Sequence, residues 1–537
     1  MTIAPRPPSE VMRPPVMGAS CQTRLSFMRV LLRRIKKEQW QFSRALWEIN
    51  EKGEGVAVYR AEHKDKVYSL AVFARDLPAN LRSDRVIASA WDAAFTLFDG
   101  APTAEDLAMM KKQVPLQEAG RNSPRQIVLS RANRSVRTFD AVINALADGR
   151  QPSAADCAAG YLMRTTAVYG NGKFGIADHA RISRRPEFIA PFAAEMLAVF
   201  MFRAFPADLV EHLAAARSSQ AVSLLPDIRR ALGIGNSTGL GMAPFLINHP
   251  ILLHHWILAR ETALARVRAL PSADSQTMNT FTAAAQSAVN QNGIKKEDAQ
   301  NIIRLCDKKY FRRSNPWNTV YEEGARRMSV GGRELLVSLL LEPHGETIDE
   351  LSKHMACDET FFLRGDMTTG EMREYMTEHY QWALETDFSM PEQNARFWYV
   401  SREKREPRLG ERKTEPGARR ELPMTMMRDA QIFMNALAAA EDDTPLAVFL
   451  SRHPKHRRIA RRVQIAAHFP YSEIHANLVA SDTAPADLLR CKLAFFGAND
   501  FDPRSDRWLR INMFQHAPYP CELHNMPADN WAWNIPS

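Results

Sequence analysis

The residues best suited to chemistry stand in two glycine-rich segments, and the first of them runs from Gly170 to Gly175. Its sequence, Gly-Asn-Gly-Lys-Phe-Gly, matches the G-x-G-x-x-G pattern of dinucleotide-binding turns. That pattern binds pyrophosphate when a strand precedes it and a helix follows, because amides at the start of the helix contact the phosphates. Residues 154–168 have helical spacing instead, so we expect a helix stop and a turn rather than a Rossmann site. The alternative is a ligand loop in which Lys173 and Arg164 face an anion, with further contacts from Gly170, Asn171 and Gly172.

The second segment, Gly233 to Gly241, holds four glycines in nine residues and leads toward His249. Glycines permit close approach of the backbone, and hydroxyl and amide side chains beside a helix start suit a phosphate or carboxylate group. The alternative is a glycine-rich break between two packed helices. As a ligand site, the segment would contribute Gly235, Asn236, Thr238 and Gly239. The candidate catalytic residues are Ser237, Lys173 as a counter-charge and His249 as an acid or base.

The same segment contains Gly235-Asn-Ser-Thr-Gly239, the G-x-S-x-G form of a nucleophile elbow. An elbow places its serine directly after a strand. Residues 221–232 have a helical pattern, and the sequence therefore disfavours a serine hydrolase.

A third candidate site lies near the C-terminal end, where Trp508 to Gln515 alternates in the manner of a strand. Arg510 and Asn512 would share one face of that strand with two aromatic residues, which suits an anionic or planar ligand. The same residues would equally suit the edge of a sheet. The nearby carboxylates lack the spacing of a calcium loop; they are Asp500, Asp502 and Asp506.

No cysteine or histidine pattern predicts a metal site. The six cysteines are widely spaced, without a C-x-x-C pair, which is typical of reduced thiols in the cytoplasm. His254 and His255 are adjacent on a predicted helix, so their side chains diverge by about 100° and are poorly placed to bind one ion. No motif identifies a cofactor.

A block of basic residues between Arg452 and Arg462 predicts the main alternative function. The chain carries a net charge of +9, and this block contains no acidic residue. Lys455, Arg458 and Arg462 would line one side of a helix, and the Arg457–Arg462 run would contact nucleic-acid phosphates. No zinc-finger or RNA-binding signature accompanies it. A solvated helix face is the competing interpretation.

The elements that must position these residues are expected to be mainly helical. Two short β-prone runs within residues 56–73 predict a hairpin, and most of the other apolar spacing is typical of helices. The predicted fold is a mainly α, multi-helix globular protein with a small N-terminal β-hairpin and a few short strands in the C-terminal third.

Composition divides the 537 residues into six predicted regions. They are a flexible tail at 1–22, an α+β region with the hairpin at 23–150, a central helical region with both glycine-rich segments at 151–270, a second helical region at 271–400, a charged surface loop or linker at 401–423, and a C-terminal α+β region at 424–537. No apolar run approaches the roughly 20 residues of a membrane-spanning helix, and no secretory signal is visible. We therefore expect no membrane insertion and a cytoplasmic location.

These patterns favour a cytoplasmic enzyme that acts on an anionic, phosphate- or carboxylate-bearing small molecule held at glycine and asparagine loops between helices. A lyase or transferase fits this reading better than a Rossmann oxidoreductase. The alternatives are a basic nucleic-acid-binding protein that uses Arg457–Arg462 and a non-catalytic interaction or assembly protein. Homo-oligomerisation is compatible with each of them.

Overall fold

One long sheet dominates the computed structural model, which describes residues 2–13, 16, 23–78, 81, 90–113, 123–165, 185–236, 250–290, 294–355, 361–387, 422–473, 494–497, 500–501, 511–526 and 530–533. Its strands are β1 (Gln41–Ile49), β2 (Gly55–His63), β3 (Lys66–Ala74), β4 (Ala93–Asp99), β5 (Gln126–Arg134), β6 (Tyr161–Thr165), β7 (Gly233–Asn236), β8 (Asp500–Phe501) and β9 (Ile511–Met513). The nine strands lie in the order β1-β2-β3-β4-β5-β6-β7-β9-β8. Among these described strands the neighbours pair antiparallel, except that β6 and β7 are parallel.

The predicted fold class is wrong, because strands from the whole length of the chain join this sheet. A small N-terminal hairpin was expected, and the strands were expected to be few and mostly in the C-terminal third. Every residue of β5 is buried, and so is every residue of β4 except Asp99. A strand buried on both faces is a continuous run without alternation, and periodicity alone does not distinguish it from a buried helix.

Helices pack on and around the sheet. They are α1 (Pro8–Val11), α2 (Phe27–Lys37), α3 (Ala104–Gln113), α4 (Thr138–Ala147), α5 (Ala193–Phe202), α6 (Ala204–Arg217), α7 (Pro226–Ala231), α8 (Pro250–Ala269), α9 (Ser275–Val289), α10 (Lys296–Leu305), α11 (Lys308–Phe311), α12 (Pro316–Arg327), α13 (Val330–Leu341), α14 (Gly345–Ser352), α15 (Thr369–Leu384), α16 (Leu422–Ala438), α17 (Leu446–Arg452) and α18 (Arg457–His468). Short 3₁₀ helices lie at Pro186–Phe188, Lys353–Met355, Pro454–His456 and Asn530–Trp533.

Two helices cover opposite faces of the central strands. All ten residues of α5 are buried, and the helix contacts β3, β4 and β5. Its Phe202 stacks on Phe95 of β4, with ring centroids 4.1 Å apart. On the other face, Met110 of α3 joins an apolar cluster with Phe73 and Phe98. This sandwich of helix, sheet and helix explains why the central strands are apolar on both faces.

A second hydrophobic core lies within α15–α18, which we call the helical unit. Its buried members include Met372, Phe433 and Val463. The first of these helices begins at a capping box, in which the Thr368 hydroxyl accepts from the Glu371 N–H and the Glu371 carboxylate accepts from the Thr368 N–H. Such a box satisfies backbone donors that the first helical turn leaves unpaired.

Two segments predicted as helices are mostly not helical. The pattern at 154–168 contains turns and β6, and the pattern at 221–232 contains only the short α7 before β7. The helix expected at 154–168 before the first glycine-rich segment was therefore wrong, because the described element there is β6; the second segment does follow a helix, α7, but begins with β7 itself. A Rossmann fold remains excluded for a different reason, because the described strands do not form a parallel, doubly wound sheet.

In the described part of the chain, no helix combines the length and the apolar character needed to cross a membrane.

Candidate functional site

The parallel pair β6–β7 brings the starts of both glycine-rich segments together. Thr165 lies opposite Asn236 where these strands end, and Asn236 Nδ2 donates to Thr165 Oγ1 at 3.1 Å. Both side chains are buried. Since neighbouring parallel strands end at the same edge of a sheet, the chain leaves this edge twice, toward residues 166–184 and toward residues 237–249. We call it the β6–β7 edge.

A row of polar side chains crosses the sheet one residue before this edge. Asn133 of β5 is opposite Arg164, Arg164 is opposite Gly235, and Gly235 is opposite Asn512 of β9. Directly opposed residues on neighbouring strands project to the same face. Arg164 is only 1% exposed, and the two asparagines are also buried. We call these four residues the polar row.

The two amides at the ends of the polar row are held by neighbouring groups. Asn133 Nδ2 donates to the Ala90 carbonyl at 3.2 Å, and its Oδ1 accepts from the Asp92 N–H at 3.0 Å. Asn512 Nδ2 contacts the Ala159 carbonyl at 3.4 Å and Gln515 Oε1 at 3.3 Å. Fixed amides of this kind present donors and acceptors in defined directions, which favours specific recognition.

Gly235 is required in the row by the close approach of an aromatic ring. A Cβ atom at this position would lie 2.8 Å from the ring of Tyr161 on β6. Even alanine would therefore displace the ring or the strand. The glycine thus allows an aromatic face to lie beside Arg164 in the buried part of the sheet.

The first described residues after the segment 166–184 contact the end of β4 and the start of β3. Arg185 pairs with Asp99 at the end of β4, with Nη2 and Oδ2 2.7 Å apart, and Tyr68 at the start of β3 donates to the Glu187 carboxylate. These contacts lie away from the β6–β7 edge, because the register places Thr165 level with Ala132 of β5 and with Ala93 at the start of β4, six residues before Asp99. Burial and the adjacent Glu187 raise the pKa of Tyr68, so its hydroxyl keeps its proton.

Arg203 fixes the two short strands that carry Gly235 and Asn512. It follows α5 directly, and its side chain is almost fully buried. Its guanidinium donates to three backbone carbonyls, those of Arg230 at 2.7 Å, Leu232 at 3.0 Å and Ala517 at 2.7 Å. The first two carbonyls precede β7 and the third follows β9, so one side chain sets the position of both strands.

The arrangement has the chemistry of an anion site. A buried guanidinium is stable only with compensating polar or negative groups, and it binds carboxylate and phosphate oxygens through paired donors. Asn236 and Thr165 add an amide and a hydroxyl where the strands end.

The structure brings together four of the residues that the sequence singled out. Arg164, Gly235, Asn236 and Asn512 lie on three adjacent strands. The other candidates lie outside the described residues: Gly170, Asn171, Gly172, Lys173, Ser237, Thr238, Gly239, His249 and Arg510. Their roles stay predictions.

Sequence reasoning missed Asn133, Thr165, Tyr161 and Arg203. Asn133 carries no detectable signal, since it lies in the polar half of β5, which reads Ser-Arg-Ala-Asn-Arg. Arg203 does carry a signal, as a lone cation directly after ten consecutive buried residues. Thr165 and Tyr161 carry none, because their importance comes from pairing with β7.

The basic block is only partly a surface. Arg462 is buried and forms an ion pair with Glu473, with Nε and Oε2 2.7 Å apart. Arg461 Nε donates to the Phe361 carbonyl at 3.1 Å. Lys455, Arg457 and Arg458 are exposed. A phosphate surface there would thus depend on a smaller set of cations than the sequence suggested.

Within the described ranges, no group of three or more histidine, cysteine, aspartate or glutamate side chains could hold a metal ion. Cys157, close to the start of β6, is a poor nucleophile, because burial and the nearby Asp156 raise the pKa of its thiol to about 11. Comparisons of the chain with protein-family models, with curated proteins and with solved structures give no match.

Proposed function

We propose that the protein is an enzyme that acts on an anionic small molecule, bearing phosphate or carboxylate groups, at the β6–β7 edge. The observation that carries this proposal is the convergence of Arg164, Asn236 and Asn512, each adjoining a separately predicted ligand segment, on neighbouring strands. Three segments so far apart along the chain are not expected to lie on neighbouring strands by chance. The proposed ligand lies just beyond the strand ends.

The sequence assigns the remaining roles in this proposal. Lys173 supplies a counter-charge, and His249 transfers a proton. Arg164 contributes a fixed positive charge whose field extends to the edge, and Asn236 orients the ligand through its amide. The reaction class stays open between a lyase and a transferase.

Calorimetric titration with pyrophosphate and with citrate tests the proposal. The wild-type chain should bind at least one probe, and Asn236→Ala and Lys173→Met should each weaken that binding about tenfold or more, as expected for loss of a charged or buried polar contact. Asn279→Ala and Lys309→Met, at exposed positions, are the matched controls and should bind as the wild type does. Unchanged binding in both site variants, or no binding to the wild type, would contradict the proposal.

A second candidate function is acyl transfer through Ser237. The observation in its favour is that β7 ends at Asn236, directly before the serine of the G-x-S-x-G motif. A strand in this position is the context that a nucleophile elbow requires, and the sequence pattern had led us to disfavour it.

Labelling with a fluorophosphonate probe separates the two candidates. If Ser237 is an activated nucleophile, the wild-type chain becomes labelled, and Ser237→Ala removes the label. Ser223→Ala, at an exposed serine of the same region, should leave the labelling unchanged. An unlabelled wild-type chain would rule out the hydrolase and leave the anion-site proposal intact.

A further inference from the structure

A guanidinium group lies in a buried acidic site between α8 and α13, far along the chain from its own segment. Arg6 donates twice to Glu261, from Nε to Oε2 at 2.7 Å and from Nη2 to Oε1 at 2.8 Å. Its third nitrogen, Nη1, donates to Glu334 Oε1 at 2.8 Å. All three nitrogens of the planar fork thus have carboxylate partners, the geometry that distinguishes arginine recognition from binding of a simple cation.

Arg6 is not the only cation that balances the two carboxylates of this site. Arg260, beside Glu261 on α8, donates to both glutamates, with its Nη1 3.3 Å from Glu261 Oε1. All four side chains are at most 6% exposed. With Arg6 in place, two cations balance two anions. Without it, two buried carboxylates would share the single charge of Arg260, and the site would keep a net negative charge and a gap shaped for a guanidinium.

The segment that carries Arg6 is held at a junction between the two cores. The Arg6 carbonyl accepts from the Tyr471 hydroxyl at 2.6 Å, and the Tyr471 N–H donates to His254 Nδ1 at 3.1 Å. Tyr471 follows α18 of the helical unit, whereas His254 belongs to α8. Val11 and Met12, farther along the same segment, are buried in the main core. The segment is therefore held in place by the Arg6 side chain, by the Arg6 carbonyl and by two apolar residues, Val11 and Met12.

We propose that Glu261, Glu334 and Arg260 form a guanidinium-binding site, which Arg6 fills in cis and which accepts an alkylguanidinium or another arginine side chain when Arg6 is absent. The site is separate from the β6–β7 edge, and the proposal does not rest on the proposed function. Because Arg6 is tethered, its effective concentration at the site is in the millimolar range or above. A free guanidinium compound therefore competes poorly in the wild type, and the site is best revealed by removing the Arg6 side chain.

Thermal unfolding of the full chain with millimolar methylguanidinium tests this proposal. Arg6→Ala should unfold at a lower temperature than the wild type, and methylguanidinium should raise that temperature by selective binding to the folded state. The wild type should show no such rise, and neither should the double variant Arg6→Ala, Glu334→Gln. Methylammonium has the charge but not the planar fork, so it should raise the unfolding temperature of Arg6→Ala by less than methylguanidinium does. Acetyl-arginine amide in place of methylguanidinium shows whether the site also admits a whole arginine side chain.

The matched control is Arg266→Ala. It removes an exposed arginine of α8, the helix that carries Glu261, and this arginine pairs with Glu350 at 3.2 Å. Methylguanidinium should not raise its unfolding temperature. Equal rises in Arg266→Ala and Arg6→Ala, or no rise in Arg6→Ala, would overturn the proposal. If Arg6→Ala does not fold, Arg6→Gln keeps part of the side-chain volume, and the same pattern of rescue is expected from it.

Discussion

At the level of single residues, burial determines the protonation state of His254. Its Nδ1 atom accepts from the Tyr471 N–H, which requires the neutral ring. Burial, and to a smaller extent the adjacent His255, lowers the pKa of His254 from 6.5 to about 4. The folded chain therefore keeps this histidine neutral at pH values where the unfolded chain protonates it.

This difference makes a contribution to stability that depends on pH. Above pH 6.5 both states are neutral, whereas between pH 6.5 and about 4 only the unfolded state takes up the proton. Stability should therefore fall as the pH is lowered through this range, by up to ~2 kcal/mol between about pH 7 and about pH 5 from this residue. Below about pH 4 the loss reaches its limit, because both states are then protonated.

Urea unfolding at both pH values measures the effect. His254→Asn retains an acceptor for the Tyr471 N–H but does not titrate, so its loss of stability should be smaller than that of the wild type by about the same ~2 kcal/mol. His379→Asn, at a histidine that is 23% exposed, should keep the wild-type pH dependence. Equal losses in His254→Asn and the wild type would show that folding does not lower the pKa of His254.

At the level of elements, the short strands β7 and β9 depend on a side chain outside the sheet. Four and three residues are too few to hold a position through ladder hydrogen bonds alone. Arg203 supplies three more hydrogen bonds, and its guanidinium also lies over the Tyr519 ring, 4.2 Å from the centroid. The order of the polar row therefore depends on these contacts of Arg203.

Arg203→Met should lower the free energy of unfolding by about 3 kcal/mol, because three buried carbonyls lose a charged donor and only that of Arg230 keeps a second one within the described residues, the His516 N–H at 2.7 Å. Amide exchange in β7 and β9 should accelerate more than exchange in β2–β4, since the loss is local. Arg217→Met removes an exposed arginine that donates to Asn144 Oδ1 at 2.8 Å, and it should change stability by no more than about 0.5 kcal/mol. A similar small change in Arg203→Met would show that the carbonyls find other donors.

The elements also show what the sequence could and could not predict. Gly235 and Asn236 were identifiable because glycine and amide residues cluster where the helical pattern is interrupted. Their strand was not, since Gly-Ile-Gly-Asn carries no β-pattern and forms a strand only by pairing with Tyr161–Thr165 and Ile511–Met513. Those partners are distant along the chain, and local periodicity contains no information on such pairing. The hairpin of β2 and β3 was predictable because its pairing is local.

At the level of the whole molecule, the main core and the helical unit are joined by the Tyr471 hydrogen bonds, by Met426 of α16 and by a small apolar contact. Ile251 of α8 packs with Ile465 of α18, and Phe361 and Phe469 pack around them. Ile465 is fully buried, although it lies outside the core of its own unit. Such a limited junction should let the helical unit open separately from the sheet, because few contacts couple their stabilities.

Ile465→Ala tests this independence by weakening the junction and leaving both cores intact. Removing a buried isoleucine side chain costs about 2–5 kcal/mol, and a loss of ~2 kcal/mol corresponds to about 30-fold faster exchange through opening. This acceleration should occur in α15, α16 and α18, whereas β2–β4 should exchange at the wild-type rate. Ile432→Ala, at a half-exposed isoleucine of the same unit, should change neither group of amides. If amide exchange in β2–β4 of Ile465→Ala accelerates as much as exchange in the helices, the two cores unfold as one unit. The junction then couples the two cores and does not separate them.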